Sequence, residues 1–129
     1  MNTHNLAIIF SAELSELDQA SNNRRTFLLH EIIDTITSKY NTIEGVYKGT
    51  KEQSFIVTGN LKTINLIKSI AFERFNQESV LLQDTNGRAY LEFQDGSTQE
   101  LGRLKEVSKK VAENSEAYTV IDNKFFLAC

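Results

Sequence analysis

Two helical stretches, each placed between short strand-like runs, constrain this chain more than any other feature. Leu6 to Ala12 (LAIIFSA) is an apolar run of the length a buried strand carries. Ser21, Asn22 and Asn23 offer helix N-caps. From Arg24 to Tyr40, Phe27, Leu28, Ile32, Ile33 and Ile36 recur at the spacing of a helix with one buried face. That places Arg24, Arg25, Glu31 and Asp34 mostly on the outer side. Ile43 to Lys48 reads as a second strand, and Glu52 or Gln53 to Thr58 as a third. Gly59-Asn60 is a turn signal. Leu61 to Phe75 is the second helix, with Leu66, Ile67, Ile70, Ala71 and Phe75 as core candidates. Ser79 to Asp84 and Arg88 to Phe93 flank Thr85-Asn86-Gly87, where Asn-Gly marks a hairpin. Asp95-Gly96 is another turn. Leu101 to Ala117 supports two readings, a charged helix or an edge strand carrying Leu104 and Val107. Tyr118 to Ile121 and Phe125 to Leu127 close the chain as a hairpin around Asp122-Asn123.

The first six elements follow the split βαβ order. The fold class expected from it is α+β: a ferredoxin-like (βαββαβ) antiparallel sheet with two helices on one face, plus extra C-terminal strands. The second sheet face then needs cover, and association of copies would supply it. No repeat, linker or proline divides the 129 residues, so residues 1–129 read as one domain.

Composition narrows the chemistry. Hydrophobic residues make up 40% and charged residues 24%, enough for a core without staples. Net charge is −3, and no Lys/Arg run exceeds two residues, so nucleic acid is not an expected partner. No apolar run reaches membrane-spanning length. Met1 to Asn5 lacks the basic start of a signal peptide. The one cysteine, Cys129, cannot form an internal disulfide. Together these predict a cytoplasmic protein. Two histidines, His4 and His30, do not make a zinc site or a Ser-His-Asp device, so neither metal nor cofactor is expected. The stretch GVYKGTK lacks phosphate-loop spacing, because Thr50 separates Gly49 from Lys51.

Carboxylate, amide and aromatic chemistry remains. Tyr47 and Glu52 flank the connection between the second and third strands. Gln77 and Glu78 lie in Phe75 to Leu82, where the second helix hands into a strand. Elements anchored in the core present such residues at a cleft. Carboxylates with an aromatic ring suit a cationic ligand, through charge pairing and a cation–π contact.

Several segments in order resemble the phage-encoded S-adenosylmethionine lyases, formerly called hydrolases. These are AIIFSAELSELDQASNNRRTFLLHEI, EGVYKG, KEQSFIV, AFERFNQESVLLQD, and the late run YLEFQDG, LKEVS and AYTVIDNKFF. They cover nearly the whole chain, and AFERFNQESVLLQD is the most specific. The resemblance implies a ferredoxin-like, PII-like core and a homotrimer with sites between subunits. It implies cleavage of S-adenosylmethionine to methylthioadenosine and homoserine lactone, which deprives host restriction and modification of its cofactor. By position it makes Tyr47 and Glu52 catalytic and Gln77 and Glu78 substrate-binding. The substrate's own carboxylate would attack its γ-carbon and expel the sulfonium, so the protein supplies no nucleophile. It folds the substrate into a near-attack geometry and restricts water.

Two other function classes compete. One is a PII-like module that binds or sequesters a nucleotide without turnover, since one fold hosts many functions. The other is an inhibitor that covers a host enzyme with an acidic face, which a charge of −3 supports weakly. Tight binding without product favours the first, and copurification with a host protein the second.

Overall fold

The fold is taken from a computed structural model, which describes residues 6–47 and 49–129. Met1–Asn5, with His4 and the region read for a signal peptide, and Lys48, expected to end the second strand, lie outside the described residues.

Eight strands and three helices run in the order β1 (Leu6–Ser11), α1 (Gln19–Ile36), β2 (Tyr40–Tyr47), β3 (Thr50–Gly59), α2 (Leu61–Glu73), β4 (Ser79–Gln83), β5 (Arg88–Phe93), β6 (Thr98–Val107), α3 (Lys109–Glu113), β7 (Ala117–Ile121) and β8 (Lys124–Ala128). Every strand pairing is antiparallel. The strands close into a barrel in the order β1-β3-β2-β7-β8-β6-β5-β4.

Closure overturns the expected ferredoxin-like sheet and its PII-like architecture. The expected sheet would leave β2 as a free edge, with the Asn-Gly hairpin of β4 and β5 at the other side. That hairpin forms, but β2 goes on to pair with β7 through Glu44–Tyr47. The ten-residue β6 then bridges the halves. Its first part pairs with β5 and its last four residues with β8. Between those parts the β5–β6 register shifts at Ala89/Tyr90, and Gly102 has φ +93°. A bulge with a glycine lets one strand bend from one partner to the next. The Leu101–Ala117 region resolves into the end of β6 followed by the short α3.

One face of β1, β3 and β4 packs on the helices. Ile8, Phe10, Phe55, Val57, Val80 and Leu82 meet Leu29 and Ile33 of α1 and Ile64, Ile67 and Ala71 of α2. The α1 register differs from the sequence expectation. Its buried stripe is Asn22, Thr26, Leu29 and Ile33, while Phe27 and Leu28 are exposed. Asp18 is the N-cap, accepting from the Ser21 N–H at 2.7 Å, so the helix starts five residues before Arg24. On α2, Leu66 is likewise exposed and Ile64 takes its place in the core. On the opposite sheet face, Ile56, Ile9, Leu81 and Leu91 stand directly opposite one another across four strands, and all four are half-buried.

Candidate functional site

The site lies where β1 ends, β3 begins and α2 hands into β4. α2 stops because Asn76 takes a left-handed conformation (φ +52°), which asparagine tolerates, and the Gln77 N–H returns to the Ala71 carbonyl at 3.1 Å. This turn buries the Gln77 side chain. Its Nε2 donates to the Glu13 carbonyl at 3.1 Å and the Phe75 carbonyl at 3.3 Å. Both amide protons are thereby used, and Oε1 remains as an acceptor.

Glu13 is the residue that the sequence reading missed. It follows β1 directly, and its carboxylate accepts from the Gln53 N–H at 2.7 Å, tying the β1 end to β3. Its own N–H donates to Ser11 Oγ at 2.9 Å. The available signal was its position, since an acid just past a buried strand sits at the rim of the core.

Glu52 on β3 is half-buried beside it. Burial pushes the Glu52 carboxyl above its ordinary range, and the Glu13 charge pushes it further, while the Ser11 hydroxyl pulls the other way. Glu52 faces Gly45 of β2 in the register. Tyr47 pairs with Thr50, which makes Tyr47 and Glu52 diagonal neighbours on one face of the β2–β3 hairpin. Tyr47 is 56% exposed.

Arg25 of α1 braces the same end. Its Nε donates to the Ala12 carbonyl at 2.6 Å and its Nη2 to the Phe75 carbonyl, with the guanidinium 5.5 Å from the Phe75 ring centroid. Asn22 holds the connecting loop from both sides, accepting from the Leu14 N–H at 2.9 Å and donating to the Leu14 carbonyl at 3.0 Å.

A cleft of about 620 Å³ opens here, lined by Glu13, Glu44, Glu52 and Asp122 with Lys51 as its one basic residue. Four carboxylates against one ammonium favour a cationic guest. Of the four residues expected from the sequence, the structure brings Glu52 into this cleft, sets Tyr47 diagonal to it, and connects Gln77 to it through Glu13. It does not bring in Glu78, which is exposed and absent from the cleft lining. Among the described residues no group of three His, Cys, Asp or Glu is placed to hold a metal ion, and no helix is long and apolar enough to cross a membrane.

The model of the S-adenosylmethionine lyase family matches residues 8–129, so the match spans every element from β1 to β8. No curated protein matches the chain.

Proposed function

Since this chain belongs to the S-adenosylmethionine lyase family, we propose that it cleaves S-adenosylmethionine by lactonisation in the acidic cleft. The substrate carboxylate attacks the γ-carbon, a C–O bond forms, and the C–S bond breaks with its electrons passing to sulfur. Sulfonium becomes the neutral thioether of methylthioadenosine, and homoserine lactone leaves with its ammonium intact. No proton need move, so no general base is required.

The observation that carries this reading is the Glu13–Glu52 pair. Burial and the Glu13 charge disfavour the ionised form of Glu52, and a guest with both a sulfonium and an ammonium relieves that cost. Glu52 takes the ammonium or aligns the reacting chain. Tyr47, diagonal to Glu52, packs against the sulfonium. Gln77 offers Oε1 as a further acceptor and holds Glu13 in place, while Glu78, exposed and outside this cleft, would serve the amino-acid or ribose end from a neighbouring subunit.

The assembly we propose is a homotrimer with the site between subunits. One observation supports it: Tyr47, at the end of the β2–β3 hairpin, is 56% exposed, and a second copy would cover it. In a phage-infected cell, loss of S-adenosylmethionine would disarm restriction and modification enzymes.

The test is mass spectrometry of early reaction products. Methylthioadenosine with homoserine lactone appearing ahead of homoserine is the expected result. Homoserine from the first time point without lactone would mean an activated water instead, and would refute the lactonisation. Retained turnover in both Glu52→Gln and Tyr47→Phe would refute the residue assignment.

A further inference from the structure

The turn between β5 and β6 contributes nothing to the lining of the acidic cleft, yet it grips the junction that supplies Gln77. Gln94, the first residue after β5 and part of the run YLEFQDG, makes that grip. Its Nε2 donates to the Gln77 carbonyl at 3.0 Å and reaches the Phe72 carbonyl and Asn76 Oδ1 at 3.2 Å each. Its backbone N–H donates to the Glu78 carbonyl at 3.2 Å. Backbone carbonyls only accept, so the nitrogen of the carboxamide, and not its oxygen, faces the junction.

These partners need a donor. Phe72 lies in the last turn of α2, where carbonyls lack a helical partner. In the same turn the Ile70 and Ala71 carbonyls accept from the Arg74 and Gln77 N–H groups, and Phe72 is left to Gln94. Asn76 holds φ +52°, and a left-handed residue persists where its surroundings fix it. The turn that carries Gln94 is itself closed. The Gly96 N–H donates to the Phe93 carbonyl at 2.9 Å, and the Ser97 N–H and hydroxyl donate to Asp95 Oδ1 at 2.9 and 2.6 Å. Gln94 therefore holds the junction from a fixed base. Gln77 is gripped on two sides: Gln94 takes its carbonyl, and its own Nε2 takes the Glu13 carbonyl at 3.1 Å. The Glu13 carboxylate then accepts from the Gln53 N–H at 2.7 Å, next to Glu52 on β3.

We infer that Gln94 is a positioning residue for the reaction, which sets the placement of Glu13 against Glu52 by fixing Gln77 from the far side of the junction; this rests on the reading of the acidic cleft as the lyase site. Gln94 touches no substrate. Its effect passes through Gln77 to Glu13 and ends at the Gln53 amide.

The test uses the full chain, at a temperature where every variant is folded by circular dichroism. Gln94 is exposed, so its replacement empties no core. Gln94→Met keeps the length and removes the donor, and Gln94→Lys returns a donor at similar reach. Two quantities are read: steady-state turnover of S-adenosylmethionine, and hydrogen exchange of the Gln53 amide, which Glu13 holds. Gln94→Met should lower kcat at least about 10-fold with KM within about 3-fold, because a displaced group costs near-attack geometry. It should speed Gln53 exchange about 3- to 10-fold, the worth of one hydrogen bond. Gln94→Lys should recover most of both. In a Gln77→Met background, Gln94→Met should change neither any further, since the path is already cut. A lower Tm with parental kcat and parental Gln53 exchange would overturn the inference and leave Gln94 as a helix cap alone. Effects that add in full to those of Gln77→Met, or that Gln94→Lys does not relieve, would overturn it as well. If the parent yields no methylthioadenosine while Gln53 exchange follows the expected pattern, the lyase reading fails and the positioning of Glu13 by Gln94 stands.

Discussion

Gln77→Met separates a residue that touches substrate from one that holds the site together. Methionine matches glutamine in length and reach, so no cavity term enters. What disappears is the Nε2 donor to two carbonyls. The Phe75 carbonyl keeps its bond from Arg25, so its loss is small. The Glu13 carbonyl loses the side-chain donor the structure gives it, beneath a residue that is 8% exposed. One orphaned acceptor plus one weak bond amounts to about 1–2 kcal/mol. For a chain of 129 residues that is a fall in Tm of roughly 4–10 °C. Calorimetry, with urea unfolding to check that the m-value is unchanged, reads it. Turnover should fall alongside stability, because Glu13 loses its tether. A variant within about 0.5 kcal/mol of the parent would show that the two amide bonds do not hold this junction. Activity lost at full stability would place Gln77 against the substrate and not behind Glu13.

Two further outcomes follow from the same geometry. Glu52 titrates above its ordinary value of 4.5, so between 4.5 and its raised value the folded state binds more protons than the unfolded one. Stability therefore falls as pH rises through that window, and ionised Glu52 costs stability at neutral pH. Glu52→Gln should raise Tm at pH 7 and flatten the Tm–pH profile above 4.5 while abolishing turnover; an unchanged or lower Tm at pH 7 would contradict the buried-pair account. Gly102→Ala places a Cβ 2.5 Å from the Cys129 carbonyl oxygen at φ +93°. That should cost about 2–4 kcal/mol and strip hydrogen-exchange protection from the Arg103 and Cys129 amides, which bond each other's carbonyls at 2.9 and 2.8 Å. Retained protection would mean that closure does not depend on this kink.

The places where sequence and structure part are physically specific. Strands and turns carry local signals, so β5 appears with its expected bounds and the Asp122-Asn123 turn takes the left-handed conformation at both residues (φ +50° and +64°). Barrel closure carries no local signal. It depends on β6 serving two partners, and a run such as LGRLKEV shows neither that change of partner nor the bulge that permits it. The α1 face failed for a related reason. Phe27 and Leu28 are as apolar as the residues expected beside them, so hydrophobicity alone could not choose between two rotations of the helix. Polar anchoring chose: Asn22 binds both backbone groups of Leu14, and this turns Thr26 inward and Phe27 outward.

The candidate site was legible to the extent that its residues lie at element ends. Tyr47, Glu52 and Gln77 were visible as polar groups at junctions, and the structure links Glu52 and Gln77 through Glu13, a residue no motif marks. Glu13 contributes a backbone carbonyl to Gln77, a carboxylate to the Gln53 amide and a charge to Glu52. Only the last of these belongs to its side chain's identity at a distance; the first would survive any substitution. Glu13→Gln should therefore keep the Gln77 tether and an acceptor for the Gln53 N–H while removing the charge that raises Glu52. If charge pairing is the reason for two acids in this cleft, the variant should lose affinity for S-adenosylmethionine with little change in Tm. Wild-type affinity would reduce Glu13 to a scaffold for Glu52 and leave a single carboxylate to meet the substrate's cationic end.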